Sequence, residues 1–523
     1  MPQMNLVSRP SSIGALLALS ILVAPLAAQS DYDLEKRSSA RLGQSLDLDV
    51  VGAPPTSITL LVPSTTGGPT PLALIDPSDS RSLDVGLDLL SVMSVLITDT
   101  NGNASYSLPL PNNPSISGFE LHWQCASLLF GATTIGQLSN DVVTLTGSPN
   151  TGVIAPAILA NARAFSTVLT DDNNNASGAD VLVTGGGTGT LTSATGLAST
   201  ELWNFRTMKF TAGPNMSIAR VLHSAVELND GRVLIIGGAD SNANVLSSCE
   251  IYNPATNSFS STGSMNTQRV LFGACLMDDG RVMVAGGTDT LDSNVVNVVT
   301  GVLRSTEIYN PATGSWSGSQ NIGGYRLAPA LTRLPNNRVL VSGGVQISFF
   351  FGIPTSASST GTCQRWTNGS WGGAANMSQG RAGHQYNQVR LNDGRILMTG
   401  GVDVPSLLGA TNAAPISGAE AYNPTSNSWQ TVNMPVNRAL HTATLLDDGR
   451  VAVCGGAQGL LTAPISIADV HLFNPASNSW SGVPSLTSPR ASHTAQLLPD
   501  GTLALFGGQG ASSTLRSVET LRF

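Results

Sequence analysis

Residues 220–238 read Arg-Val-Leu-His-Ser-Ala-Val-Glu-Leu-Asn-Asp-Gly-Arg-Val-Leu-Ile-Ile-Gly-Gly, and residues 252–259 read Tyr-Asn-Pro-Ala-Thr-Asn-Ser-Phe. Two short apolar runs flank an Asp-Gly turn, the second run ends on two glycines, and an aromatic strand, an Asn-Pro turn and a second aromatic strand follow. Asp-Gly supplies the positive φ of a type I′ hairpin, so the stretch predicts four antiparallel strands.

Working outward, the pattern recurs. Gly-Gly pairs stand at 185, 237, 286, 343, 400, 455 and 507, a step of 49 to 57 residues. Each closes an apolar run such as Val282-Met-Val-Ala285 or Ile396-Leu-Met-Thr399 and is preceded by an arginine: Arg163, Arg220, Arg269, Arg326, Arg381, Arg438 and Arg490. Three residues after the arginine stands His223, His384, His441 or His493 in four units, and Ser166, Phe272 or Pro329 in the others. Unit one carries Trp203-Asn-Phe205 where others have Tyr-Asn-Pro, and unit four has Asn336-Asn337 at its turn. A period of this length signals stacked supersecondary units.

The combination Arg-x-x-His, hairpin, Gly-Gly, Tyr-Asn-Pro and Trp resembles the kelch repeat over residues 153–523. The resemblance implies an all-β fold, a seven-bladed β-propeller in which Val153–Leu159 completes the last blade. It places the seven arginines at the start of the innermost strands, around one mouth of the central channel. Two readings of that ring follow. The guanidinium fork suits an anion or acidic sugar; alternatively each arginine forms a blade-to-blade ion pair with the acceptor recurring at Glu201, Glu250, Glu307, Gln364, Glu420, His471 and Glu519. The connectors after Gly-Gly, long in units three to five, collect on one face, and Phe349, Phe350 and Phe351 in the fourth make that face the expected contact surface for a protein or glycan.

Upstream, Leu46-Asp-Leu-Asp-Val-Val51, Ile58-Thr-Leu-Leu-Val62, Ser105-Tyr-Ser-Leu-Pro-Leu110 and Asp141-Val-Val-Thr-Leu-Thr146 alternate as strands do. A small antiparallel β-sandwich is expected over residues 40–147, after a linker at 29–39. Arg9 and the apolar run Ile13–Ala28 have the form of a secretory signal over residues 1–28, so the mature protein is expected outside the cytoplasm, extracellular or periplasmic, with no membrane span.

Composition narrows the function classes. The 523 residues carry 25 Lys+Arg against 33 Asp+Glu, a net charge of −8, and only two lysines, which excludes a basic nucleic-acid groove. Five scattered cysteines with no CxxC pair exclude a disulfide framework and a zinc knuckle. No G-x-S-x-G, H-E-x-x-H or phosphate-cradling loop occurs. The leading expectation is a secreted, non-catalytic binding or adhesion propeller without catalytic residues or cofactor. The alternative is a carbohydrate-active enzyme: a galactose oxidase-like copper-radical oxidase, for which Tyr325 and Tyr386 flank inner strands, or a sugar epimerase or lyase using a carboxylate and an arginine at the channel mouth. Asp99–Asn103 and Asp171–Asn175 are oxygen-rich turns that calcium could use.

Overall fold

A computed structural model describes residues 32–523 apart from 75–78, 129–134, 171–180, 190–194, 293, 386, 408, 410 and 411. The export signal, Asp171–Asn175 and Tyr386 lie outside the described residues. The chain divides into two compact units, Met1–Ser148 and Pro149–Phe523.

In the first unit, a sheet of Asp33–Lys36, Ser45–Val51 and Ala104–Pro109 and a sheet of Ser94–Ile97, Ile58–Ser64, Glu120–Leu128 and Ile135–Leu145 enclose one core. Leu34, Leu46, Leu48 and Val50 of the first sheet meet Leu61, Trp123, Cys125 and Val142 of the second. This sandwich begins earlier than residue 40. Asp33–Lys36 pairs with Leu48–Val51, a correction to the expected linker. Three of its four residues are charged, which disguises a strand whose Leu34 enters the core and whose backbone is held by the Asn140 amide. Asp99 accepts the backbone N–H groups of Asn101 and Asn103, both at 2.8 Å, as the side chain of an Asx turn does.

The second unit contains seven four-stranded antiparallel sheets among its described residues. Blade two is typical: Ser224–Glu227, Val233–Ile236, Cys249–Asn253 and Ser258–Thr262, from the axis outward. Both faces of the second strand are buried, which explains its unbroken apolar run. Val233 and Ile235 pack with Leu182 and Leu202 of blade one, Leu234 and Ile236 with Val282 and Val284 of blade three. In blade seven Val153–Ile158 pairs outside Ser517–Arg522, so the two ends of the unit share one sheet.

The Asp-Gly hairpins are not type I′. In the Asn229–Gly231 turn of blade two only Gly231 has positive φ (79°), and its N–H donates to Leu228 O at 3.0 Å. A type I turn followed by a left-handed glycine satisfies both facts. The aspartate then accepts from the arginine two residues on, as in Arg232–Asp230 (2.7 Å), an exposed pair that contributes little.

Candidate functional site

The seven arginines are fully buried. Each reaches across its own blade: Arg220 donates through Nη1 to Gly237 O and Ser248 O, both at 2.9 Å, and through Nη2 to Glu250 Oε1 at 2.9 Å. Arg163, Arg269, Arg381 and Arg490 pair likewise with Glu201, Glu307, Glu420 and Glu519 at 2.6 to 3.1 Å. Arg326 finds Thr362 Oγ1 and Arg438 finds His471 Nδ1 in place of a carboxylate. The ion pair therefore lies within one repeat and does not bridge blades. The same carboxylates accept backbone N–H groups of the segment entering the blade, for example Ser217 on Glu250 at 2.8 Å. With their Nη atoms engaged within the blade and no face toward solvent, the seven arginines form a structural girdle, although Nε of all but Arg220 is buried without a partner; the expectation that they present an anion site is corrected on the ground of that burial.

Blades are joined through the backbone. The second glycine of each pair donates to the carbonyl of the next arginine, as Gly186 does to Arg220 at 2.9 Å. Two residues after each arginine the chain turns left-handed, at Phe165, Leu222, Leu271, Ala328, Gly383, Leu440 and Ser492, with φ between 50° and 67°. These residues ring the channel, and neighbours touch through bonds such as Ser492 N–H to Leu440 O (2.8 Å) and Phe165 N–H to Ser492 O (3.0 Å). Only Gly383 advertised this conformation in the sequence; the fixed offset from the arginines was the available signal.

The four repeat histidines point between blades. Nε2 of His223 is 3.0 Å from Thr184 Oγ1, that of His384 3.1 Å from Ser342 Oγ, that of His441 2.8 Å from Thr399 Oγ1 and that of His493 3.0 Å from Thr442 Oγ1. Burial, reinforced by nearby arginines, brings His223, His384 and His493 down to about 3 and His441 well below its ordinary value. They are neutral joints.

The axis holds a cavity of about 310 Å³ lined by all seven blades, through their innermost strands or the residues that lead into them. None of its described lining residues is Asp, Glu, Lys or Arg, so the carboxylate and arginine of an epimerase do not meet there. Among the described residues no three His, Cys, Asp or Glu side chains converge on a metal position. The five cysteines are free. The Tyr325 ring stacks edge-on against Phe349 at 4.8 Å, with the Arg304 guanidinium 5.2 Å away. The tyrosine, histidine and cysteine set of a copper-radical site is thus not assembled by the residues described.

On the Gly-Gly side the connectors are structured. Val345–Phe350 and Ile353–Ser359 form a β-hairpin, extended by Tyr325–Leu327 into a three-stranded sheet. Its base shares a small core with Val299 of the helix Val295–Thr300 in unit three, with Val302 just after that helix, and with Ala382, Val404 and Leu407 of unit five. The three phenylalanines separate: Phe349 anchors on Tyr325, whereas Phe350 and Phe351 are 66% and 91% exposed, and Ile353 is 67% exposed. No charged residue occurs from Val339 to Gln364. Phe351 and Gly352, the two residues between Phe350 and Ile353, both have positive φ (48° and 79°), as a type I′ turn requires.

Comparison with known proteins agrees with this geometry. The kelch motif family matches residues 220–266. Alpha-scruin of Limulus polyphemus is 27% identical over 164 residues, covering 29% of this chain and 16% of scruin. Adagio-like protein 3 of Oryza sativa subsp. japonica is 29% identical over 141 residues, covering 26% of this chain and 21% of that protein. The chain thus spans about a fifth or less of the curated relatives it matches. A fungal alcohol oxidase of the AA5 family, solved in complex with copper, superposes with a TM-score of 0.53 at 19% identity, over 71% of this chain and 76% of its own. That likeness is one of fold. No helix among the described residues is long and apolar enough to cross a membrane.

Proposed function

The chain is a kelch-repeat β-propeller, and we propose that it is an exported binding protein whose connector face, centred on the unit-four hairpin, docks a protein partner. The observation that carries this reading is Phe351. It is almost fully exposed and holds a left-handed conformation that costs a bulky residue about 1 to 2 kcal/mol. Folding gains nothing from a phenylalanine there, and strain of this kind is retained where a partner uses the side chain. Phe350, packed edge-on against it at 4.6 Å, and Ile353 complete an apolar knob on a base rigidified by the shared core of units three to five. Exposed aromatics on a rigid element are what interface hot spots require.

Protein and glycan arrays probed with labelled full-length protein and with Phe350→Ser/Phe351→Ser test the reading. A protein target whose binding falls at least roughly tenfold in the variant is the expected result. Binding unchanged by the variant, or confined to glycans, would overturn it.

A further inference from the structure

The turns that join first to second strands lie at the end of each blade away from the Gly-Gly connectors, and neighbouring turns touch. A Cβ on Gly280 would meet the Asn229 amide of the preceding turn at 2.8 Å, one on Gly449 the Asn392 amide at 3.1 Å and one on Gly501 the Asp447 carboxylate at 3.3 Å. Asn337 likewise donates through its backbone to Asp278 and through its side chain to Asp279, both at 2.7 Å. Gly394 breaks the series: a Cβ there would meet nothing within 4 Å, so a gap opens between the turns of blades four and five.

The same seam loses its carboxylates. In blade three, Asp279 pairs with Arg281 at 2.7 Å, and Asp278 with Arg333 on the innermost strand of blade four at 2.5 Å. The corresponding turn of blade four reads Pro335-Asn336-Asn337. Arg338 and Arg390 stand where Arg281 and Arg333 stand, and find no aspartate; Arg338 turns Nε to the Pro335 carbonyl at 2.9 Å. Arg390 is directed at blade four by register, because it lies opposite Ile396, whose side chain packs with Leu334 and Leu340. A third cation, Arg365, takes a position that holds Leu202, Ile251, Ile308, Ala421 or Leu472 in other units. Burial raises the pKa of Tyr422, and the guanidiniums of Arg365 and Arg338 beside its hydroxyl oppose the rise; at the seam of blades two and three, Tyr309 meets Arg232 together with Asp230. Arg338, Arg365 and Arg390 are partly exposed, and none is in an ion pair among the described residues, the neighbouring Asp393 being taken by Arg395. Three unpaired guanidiniums at one seam repel one another, and fold stability would be better served by the Asp-Gly turn and the apolar residue of the other units.

We propose that the gap between the turns of blades four and five binds a phosphate or sulfate group, held by the guanidiniums of Arg338 and Arg390 with Arg365 behind them. Guanidiniums reaching in from different strands suit a tetrahedral oxyanion, which offers oxygens in several directions, whereas the two oxygens of a carboxylate are satisfied by one fork. The site lies at the opposite end of the blades from the connector face and stands independently of the docking reading.

Calorimetry on full-length protein in a low-chloride buffer tests this, with inorganic phosphate, sulfate, glucose 6-phosphate and N-acetylglucosamine 6-sulfate as probes and acetate as the planar counterpart. Saturable binding of at least one tetrahedral probe, with acetate much weaker and affinity lowered roughly tenfold or more in Arg338→Gln/Arg390→Gln, is the expected result. Asn336→Asp/Asn337→Gly, which keeps all three arginines and restores the turn of the other units, should lower affinity likewise by giving Arg338 a carboxylate. Either ranking of free ion against sugar ester upholds the site and names the source of the group. The proposal is overturned if no tetrahedral probe binds saturably, if acetate binds as tightly, or if a folded arginine variant binds like wild type; should that variant fail to fold, unchanged binding in the turn variant overturns it.

Discussion

The backbone N–H of Gly508 donates to the carbonyl of Arg163 at 2.9 Å. The partners lie at opposite ends of the propeller sequence, yet the bond repeats the one that joins Gly186 to Arg220 and Gly456 to Arg490. The ring therefore closes through the same backbone contact that joins its other blades, and Val153–Ile158 adds a sheet edge to the seal.

The first expected outcome concerns that closure. Gly507 has φ +57°, and a Cβ there would lie 2.4 Å from Arg163 O. Gly507→Ala combines left-handed strain with a backbone clash and is expected to destabilise by at least about 2 kcal/mol. Gly482→Ala, on an outer strand with nothing within 4 Å, is expected to stay within about 0.5 kcal/mol. Urea midpoints of the two variants check this; equal shifts would remove the closure contact from the argument.

The girdle supplies a second. Glu420→Gln leaves Arg381 buried without its anion and is expected to cost about 3 kcal/mol. Gln364 already occupies the glutamate position of unit four, accepting Gly323 N–H at 2.7 Å, while Arg326 has no carboxylate. Gln364→Glu should therefore stabilise, by about 1 to 3 kcal/mol for a charged hydrogen bond completed in a built site. Thermal melts of both variants against wild type read the opposite signs; a destabilised Gln364→Glu would mean that burial of the new charge outweighs the pair.

The hairpin tip gives a third. Phe351→Asn keeps the left-handed turn with a residue that tolerates it, and should favour the closed hairpin by about 1 kcal/mol. Amide exchange across Val345–Ser359 is then expected to slow roughly fivefold while partner binding falls. Unchanged or faster exchange would show that phenylalanine suits the turn, and would remove strain as a reason to assign Phe351 to a partner.

What was legible in the sequence follows from where identity is forced. Arginine, Gly-Gly and the aspartate turns each occupy a position that one chemistry fills, so they repeat and the period declares the blades. The joint between blades was half legible: His223, His384 and His441 face Thr184, Ser342 and Thr399, whereas Phe272 is in one core with Ile236, so polar meets polar and apolar meets apolar across sequence distances that hide the pairing. The ion pair was assigned between blades because linear spacing does not say which way a buried guanidinium turns. The left-handed ring left little trace, since Leu222, Leu271 and Leu440 adopt through closure a conformation their side chains do not favour. The fates of Phe349, Phe350 and Phe351 diverge because a strand alternates faces and a run of identical residues does not.

The joints also fix how stability depends on acidity. His223, His384 and His493 are held at about 3 when folded and return toward an ordinary value near 6.5 when unfolded. The unfolded chain therefore binds protons that the folded chain refuses, so these joints contribute their full stability above about pH 6.5 and lose it as pH falls toward 3, by about 1.4 kcal/mol per pH unit for each histidine. Carboxylates titrate in the lower part of this window, which a joint swap separates. Ser342→Ile/His384→Phe reproduces the apolar joint of Ile236 and Phe272 and should flatten the stability profile between pH 6.5 and 4 by the slope of one proton. Denaturant melts of wild type and swap across that range read the difference; parallel profiles would show that His384 takes up its proton without opening the joint.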